Sequence, residues 1–270
     1  MVNLMMNKTF RVLSKDFDLL SNRLTLHAES TLLPWGGANT AVNIGTSQRE
    51  AIVINVTQFD QTRFCDVMFE QTNIYCPEVI AHSINKRKAE YFVGRYLVAN
   101  RLNELGFEYC TLESNIDRSP KFPCGAIGSI SHCESLACVA VAPSYNPDRE
   151  NLGIDVQKPI SSDVCREIEN MIVAGQEVDL AMSVGLTKEQ AITLLFSAKE
   201  AIYKALAKFS TRDLNFTDAK LKQVNQNTME FELSESIQLR TNTLEEIRCE
   251  YWYLEQHKAF LTLCYYSCDC

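Results

Sequence analysis

The segment FSAKEAIYKAL, residues 196–206, carries an acid and a base one helical turn apart in an otherwise apolar pattern. A helix places Glu200 and Lys204 on one face, together with Ser197. Such a pair is usually a solvated ion pair that contributes only a few tenths of a kcal/mol. The alternative is that the carboxylate holds a cation and the ammonium group holds a phosphate.

A second carboxylate, Asp155, stands in the segment GIDVQ, residues 153–157. If this segment is a strand, its apolar residues face one side, and Asp155 and Gln157 face the other. A carboxylate that projects from a strand buried on its opposite face is a suitable ligand for a hard cation. Aspartates near strand ends are common, so this pattern alone predicts little.

The segment GSISH, residues 128–132, offers hydrogen-bond donors in place of carboxylates. Ser131 and His132 could both donate to an anion, although a histidine in this setting is usually a satisfied, half-buried side chain. Arg118, in the preceding loop, could supply a further cation. A basic cluster on a predicted helix, usually a solvated face, is formed by Lys86, Arg87, Lys88 and Arg95.

The elements that must position these residues are predicted from periodicity and turn signals. Apolar spacing predicts a helix over 86–106, closed by Gly106. We predict two short strands over 128–132 and 137–143, followed by a turn-rich linker over 144–153. Further along, the predicted elements are a strand over 151–157, helices over about 160–209 and several strands in the last sixty residues. Strands and helices that mix without regular alternation indicate an α+β fold.

Composition restricts the function classes. The chain has 270 residues, enough for one large domain or two small ones, and is 46% hydrophobic and 22% charged, as in ordinary globular proteins. A net charge of −8 argues against a basic nucleic-acid binder. The apolar stretches are too short to cross a bilayer, and the first ten residues lack the apolar core of a secretory signal.

Cysteine usage indicates the compartment. The chain contains 11 cysteines, an odd number, with no C-x-x-C pair. This pattern favours free thiols in a reducing cytosol over a disulfide framework, so we expect a cytoplasmic protein. Cys268 and Cys270 could together bind a soft metal, although a frayed terminal tail is the more common explanation.

Together, GxxGSISH, GIDVQ and FSAKEAIYK, in this order and spacing, resemble the 4′-phosphopantetheinyl transferases of the large, pseudo-dimeric type. Within that superfamily, the chain most resembles the branch that includes the enterobactin synthase component D proteins. The segments 86–95 and 118–132 resemble that branch's N-terminal half, and the total resemblance covers roughly 84–216. It implies two similar α+β halves related by pseudo-twofold symmetry, with the active site in the cleft between them. We expect the halves at 1–145 and 146–270.

The resemblance also implies a reaction. These enzymes transfer the phosphopantetheine arm of coenzyme A to a serine of an apo acyl, peptidyl or aryl carrier protein and release adenosine 3′,5′-bisphosphate. The cofactor is Mg²⁺, and the expected setting is a nonribosomal peptide, siderophore or polyketide-type synthase. We expect a monomer that binds no nucleic acid, with no indication of membrane association.

Site residues are carried over from the resemblance position by position. It implies that Asp155 and Glu200 are metal ligands, with Gln157 at a third position that is acidic in many relatives. Glu200 and Lys204 are also expected to be catalytic. The residues expected to bind coenzyme A are Arg87, Arg95, Arg118, Ser131, His132, Lys199 and Lys204.

A general base must accept the proton of the carrier serine. The family places a glutamate midway between the two metal motifs, and Glu177 stands 22 residues after Asp155 and 23 before Glu200. Glu177 is therefore the predicted base, with Asp179 close by. Gln157 removes one negative charge from the site, so we expect weaker metal affinity than in an all-carboxylate site. Phe196, where the motif often has tryptophan, is expected to be neutral for packing.

Two other interpretations remain open. One is a non-catalytic homologue that binds carrier protein or coenzyme A, which only Gln157 favours. The other is a magnesium-dependent phosphohydrolase, although the sequence has no P-loop. An acidic carrier and an enzyme of net charge −8 would repel each other at long range. We therefore expect a local basic or apolar docking surface.

Overall fold

The computed structural model describes residues 30–32, 38–44, 52–108, 111–235, 237, 239 and 246–268. These residues form two compact units. The first takes its residues from the chain up to 121 and from 134–142, and the second takes 122–133 and 143 onwards. The predicted boundary between residues 145 and 146 stays a prediction.

Strands and helices mix along the chain, which confirms the predicted α+β class. The strands are β1 (Ser30–Leu32), β2 (Ala38–Ile44), β3 (Ile52–Gln58), β4 (Ala126–Cys133), β5 (Leu136–Pro143), β6 (Glu150–Gln157), β7 (Ala219–Val224), β8 (Thr228–Leu233), β9 (Glu246–Leu254) and β10 (Ala259–Ser267). The α-helices are α1 (Val67–Gln71), α2 (Glu78–Ala81), α3 (Asn85–Glu104), α4 (Ser162–Ile172), α5 (Glu177–Met182) and α6 (Lys188–Leu206). Short 3₁₀ turns lie at Gln61–Arg63 and Phe216–Asp218.

In the first unit, β1, β2, β3 and β5 form an antiparallel array in that order. The predicted helix over 86–106 is confirmed as α3, and Gly106 follows it with a φ of +82°, the left-handed conformation of a glycine C-cap. Phe92, on the buried face of α3, packs its ring 5.2 Å from that of Phe69 and 5.7 Å from that of Phe64. This aromatic cluster fixes α3 within its unit.

The second unit is an antiparallel sheet in the order β6-β10-β9-β8-β7, with α6 packed against β6 and β10. A capping box begins α6, because Thr187 accepts from the amide of Gln190 while the Gln190 side chain accepts from the amide of Thr187. The predicted core stripe of α6 is confirmed as buried: Ile192, Leu195, Ala198, Ile202 and Ala205. The helix thus seals one face of the sheet.

Two predictions need correction. The linker is shorter than predicted, because β6 already begins at Glu150 and only 144–149 connect β5 to it. Ser197 does not share an open face with Glu200 and Lys204. It is fully buried, and its hydroxyl lies 3.0 Å from that of Thr262 on β10.

No helix in the described part of the chain is long and apolar enough to cross a membrane. The cysteines within that part all carry free thiols, as the sequence predicts. Cys270 lies outside the described residues, so the terminal cysteine pair stays untested.

Candidate active site

Strand β6 carries Asp155 into a buried position. Its register on β10 sets Asp155 opposite Thr262, and the Thr262 hydroxyl donates to the main-chain oxygen of Ser197 at 2.9 Å, which ties the strand pair to α6. The apolar face of β6 is buried, as predicted, through Leu152, Ile154 and Val156. Asp155 is buried too, so the opposite face of the strand is not open to solvent.

Gly153 allows α6 to approach β6 closely. A Cβ atom at this position would clash with the main-chain oxygen of Ala201 and would lie 2.6 Å from the amide nitrogen of Ala205 and 2.9 Å from Lys204 Cβ. The Asn151 side-chain amide secures the approach by donating to the carbonyl oxygens of Lys204, at 3.0 Å, and Ala205, at 3.1 Å. The glycine of the GID motif therefore places Lys204 next to Asp155.

Lys204 forms an ion pair with Asp155. Its Nζ lies 2.8 Å from Asp155 Oδ1 and donates to the main-chain oxygen of Ile154 at 3.0 Å. The Lys204 side chain remains 25% exposed, against 8% for Asp155. The ammonium group thus has a partner within the protein and still reaches solvent.

Ser131 on β4 contacts the same carboxylate. Its hydroxyl donates to Asp155 Oδ1 at 2.6 Å. Oδ1 therefore has two donors, whereas Asp155 Oδ2 is buried and has no hydrogen-bond partner among the described residues. A carboxylate oxygen in this condition has an unsatisfied capacity to bind a donor or a cation.

Glu200 is the second carboxylate of the cluster. Burial raises its pKa, the nearby Lys204 opposes that shift, and the charge of Asp155 reinforces it. Two carboxylates close enough to repel, one with an unsatisfied oxygen, suit a hard cation that keeps several waters, as Mg²⁺ does. Within the described ranges, no group of three or more histidine, cysteine or acidic side chains could hold a metal ion. Asp155 and Glu200 would be two of the oxygen ligands that such a cation takes.

Glu177 and Lys199 form a separate, sealed ion pair. Lys199 Nζ lies 2.9 Å from each carboxylate oxygen of Glu177, and both side chains are 1% exposed. The amides of Ala174 and Leu221 donate to the carboxylate, each at 2.6 Å, and Lys199 also donates to the main-chain oxygen of Ile172 at 2.8 Å. Burial lowers the pKa of Lys199, with Glu177 opposing the shift. These contacts are those of a structural pair.

The other predicted site residues are distributed over both units. Gln157 ends β6, and its amide nitrogen donates to the main-chain oxygen of Lys158 at 3.1 Å. His132, half-buried on β4, belongs to the second unit. Arg87, Arg95 and Arg118 belong to the first unit.

Each of the three arginines has its own surroundings. Arg87 lies 3.7 Å from Glu90, one turn further along α3. Arg95 is buried, donates to the Ser114 hydroxyl at 2.8 Å and stacks 4.8 Å from the centre of the Tyr91 ring. Arg118 is exposed in a turn with a φ of +69°. Their roles toward coenzyme A stay predictions.

A cavity of about 260 Å³ adjoins the cluster on the α6 side. Glu200 and Tyr203 line it, and the remaining lining is largely apolar, including Ile202, Leu214 and Phe216. Phe196 packs its ring 5.4 Å from that of Phe216. The carboxylate of Glu200 therefore stands beside an apolar recess of the second unit.

Several positioning residues were missed at the sequence level. Asn151 and Thr262 hold α6 against the sheet, but neither belongs to a motif, and their partners are 53 or more residues away in the chain. Gly153 did carry a usable signal, because a glycine inside a strand often marks a close approach of another backbone.

Two family models match the chain. Residues 77–142 match the family model described as the 4′-phosphopantetheinyl transferase N-terminal domain, and residues 151–264 match that of the 4′-phosphopantetheinyl transferase superfamily. The second match contains Asp155, Glu177, Glu200 and Lys204.

Similar curated proteins carry the same class of name. Enterobactin synthase component D of Escherichia coli K12 is 29% identical over 213 residues, which cover 78% of this chain and 92% of that protein. The Salmonella typhi protein of the same name is 30% identical over 174 residues, 64% of this chain and 69% of that protein. The 4′-phosphopantetheinyl transferase Svp of Streptomyces mobaraensis is 28% identical over 163 residues, 58% of this chain and 65% of that protein. The chain belongs to the 4′-phosphopantetheinyl transferase superfamily.

Proposed function

We propose that this protein transfers the 4′-phosphopantetheine arm of coenzyme A to a serine of an apo carrier protein and releases adenosine 3′,5′-bisphosphate. Membership of the superfamily supports the reaction type. The observation that carries the proposal is the cluster in which Lys204 and Ser131 hold one oxygen of Asp155 while its other oxygen is left without a partner beside Glu200.

Mg²⁺ is the proposed cofactor, held by Asp155 and Glu200. When bound, it would neutralise charge on the pyrophosphate of coenzyme A. The buried, unpartnered Oδ2 of Asp155 supports this assignment. Gln157 stays a proposed third ligand, whose amide oxygen would bind more weakly than a carboxylate.

Lys204 is proposed to bind the phosphates of coenzyme A. Its ammonium group is partly exposed, so it can keep the contact with Asp155 and still donate to a phosphate oxygen. A charge-assisted hydrogen bond of this kind would stabilise negative charge as the bond to the leaving phosphate breaks.

The carrier serine must lose its proton during the transfer. Glu177, the predicted base, already accepts hydrogen bonds on both oxygens from backbone amides and Lys199. It could take up a proton only if these donors gave way. Glu200 is assigned to Mg²⁺, which would hold its carboxylate in the ionised form, so Glu177 stays the proposed base.

The proposed partner is an apo acyl, peptidyl or aryl carrier protein. The name enterobactin synthase component D, which the similar proteins carry, supports a role in an enterobactin-like synthase. Another nonribosomal peptide or polyketide-type synthase is the alternative setting that we propose. The apolar cavity beside Glu200 supports an apolar contact with the carrier in place of long-range attraction. We also propose a cytoplasmic monomer without nucleic-acid partners, for which the free thiols of the described cysteines and the net charge give support.

Intact-mass spectrometry tests the proposed function directly. An apo aryl or peptidyl carrier protein would be incubated with this protein, coenzyme A and Mg²⁺, beside an Asp155→Ala control. The expected result is a gain of one phosphopantetheine that the control lacks. Coenzyme A binding without any gain on carriers of several classes would favour the non-catalytic homologue, the alternative that Gln157 suggests.

A further inference from the structure

Among the strands that the structure describes, β6 is the edge of its sheet, since it pairs there with β10 alone. The outward amides of an edge strand need other acceptors when they are buried. Two serines of β4 fill this need. The Ser129 hydroxyl accepts from the amide of Ile154 at 3.1 Å, and the Ser131 hydroxyl accepts from the amide of Val156 at 3.3 Å.

The two serines differ in one contact. Both are buried, at 5% exposure, and both satisfy a β6 amide. Only Ser131 passes its own hydrogen on to a carboxylate, donating to Asp155 Oδ1 at 2.6 Å. A hydroxyl that accepts one hydrogen bond becomes a stronger donor, so the chain from Val156 through Ser131 to Asp155 is mutually reinforcing.

We propose that Ser131 is a positioning residue that fixes the orientation of the Asp155 carboxylate and leaves Oδ2 as the cation ligand. The inference rests on the proposed function, in which Asp155 is a metal ligand. The terminal torsion of an aspartate has a broad, nearly twofold preference, so either oxygen could otherwise take the inner position. Ser131 and Lys204, both bonded to Oδ1, determine which oxygen turns inward.

This role differs from the phosphate contact that the sequence predicts for Ser131. A serine hydroxyl has a single hydrogen to donate, and Asp155 Oδ1 takes it. Ser131 can therefore not donate to a phosphate oxygen while it holds the carboxylate. The substrate contact and the positioning role are alternatives that one set of variants separates.

The experiment compares Ser131→Ala with Ser129→Ala in the full-length protein, using Mn²⁺ as the probe. Free Mn²⁺ would be titrated by electron paramagnetic resonance, with and without coenzyme A. Loss of a residue that orients a metal ligand typically weakens binding about 10–100-fold, and we expect this for Ser131→Ala. Ser129→Ala removes an equivalent backbone acceptor without touching the carboxylate, so it should keep wild-type Mn²⁺ affinity. Ser131→Thr retains a hydroxyl and should restore most of the binding.

Equal Mn²⁺ affinity of Ser131→Ala and Ser129→Ala would overturn the proposal, as would a wild-type protein that binds no Mn²⁺ under either condition. Weaker coenzyme A binding by Ser131→Ala in the presence of a chelator, with Mn²⁺ affinity unchanged, would assign Ser131 to the phosphate instead.

The carrier assay is scored separately, because it tests the proposed reaction. If the wild type transfers phosphopantetheine and the two serine variants bind Mn²⁺ equally well, only the positioning role is refuted. If Ser131→Ala alone loses Mn²⁺ affinity and the wild type transfers nothing to any carrier, only the proposed reaction is refuted.

Discussion

Two lysines of helix α6, Lys199 and Lys204, lie five residues apart, and each forms an ion pair with a carboxylate inside the second unit. The Lys199–Glu177 pair is sealed, with both side chains 1% exposed and both carboxylate oxygens accepting backbone amides. The Lys204–Asp155 pair lies in more open surroundings, and one carboxylate oxygen has no partner in the described part of the protein. The same two functional groups therefore occur in one complete and one incomplete arrangement.

The difference separates structure from chemistry. A buried ion pair whose hydrogen bonds are all made holds its elements together, here α5, α6 and the start of β7. A pair with an unsatisfied oxygen and a partly exposed ammonium group can still bind a ligand. On this argument, the sealed pair supports the fold, and the open pair is the candidate for ligand binding.

Lys199→Met should give the largest effect on stability. It leaves the Glu177 carboxylate buried without its counter-ion, which typically costs about 3–5 kcal/mol in the free energy of unfolding. Urea unfolding measures the loss. Lys204→Met is the matched control, and its free energy of unfolding should fall much less, because Lys204 is partly exposed.

The double variant Glu177→Gln with Lys199→Met sharpens the test, since it removes both charges and should recover most of the lost stability. It also bears on the predicted base. Transfer that survives in a folded double variant excludes Glu177 as the base. A stable Lys199→Met protein would contradict the structural role of the sealed pair.

Gly153→Ala should give the next largest loss of stability. The added methyl group meets the backbone of α6, so the helix must move away from β6 and carry Lys204 from Asp155. Overpacking of this kind costs about 1–3 kcal/mol, and transfer should fall with it. Gly185→Ala is the control: its φ of +91° makes alanine strained, but no atom stands within 4 Å of the new methyl group. Equal transfer by the two variants would contradict the role of Gly153 in the site.

Glu200→Gln should stabilise the metal-free protein by a few degrees in Tm at neutral pH. Burial raises the pKa of Glu200 above its ordinary value of 4.5. A carboxyl group whose pKa is higher in the folded than in the unfolded state stabilises the folded protein at low pH. This stabilisation is complete when the pH is below the unfolded-state pKa, and it is lost as the pH rises through the folded-state pKa. The ionised form therefore opposes folding at pH 7.

The Tm advantage of Glu200→Gln should shrink as the pH falls through the folded pKa of Glu200 toward 4.5, which thermal melts with a chelator present will show. Asp155→Asn is the comparison, because it removes the charge that faces Lys204 and should lower Tm at neutral pH. If the Tm difference between Glu200→Gln and the wild type does not change with pH, it does not arise from burial of the Glu200 charge.

Gln157→Glu should give the smallest effect, a few-fold gain in Mg²⁺ affinity with little change in stability. A third carboxylate adds charge to the proposed site, and oxygen ligands of higher charge bind Mg²⁺ more tightly. The measurement is the Mg²⁺ dependence of transfer. Unchanged or weaker dependence would place Gln157 outside the coordination shell.

The sequence by itself determined the elements of the site and the superfamily. Apolar periodicity predicts α3 and the core stripe of α6, and alternation predicts the apolar face of β6, because these patterns depend only on local geometry. The three motifs share an order and spacing that no single element explains, and the resemblance drawn from them is confirmed by the family matches.

Only the tertiary structure decided what each charged side chain faces. Helical spacing fixes the angle between Lys199 and Lys204 on α6, but it does not say that Glu177 stands opposite one and Asp155 opposite the other. Ser131 acquires its contact with Asp155 from a strand 24 residues earlier in the chain. Such contacts depend on how elements distant in the chain pack together, and a local sequence pattern does not predict which elements will be its neighbours in the fold. The same residue types therefore gave a sealed pair at one place and an open pair at the other.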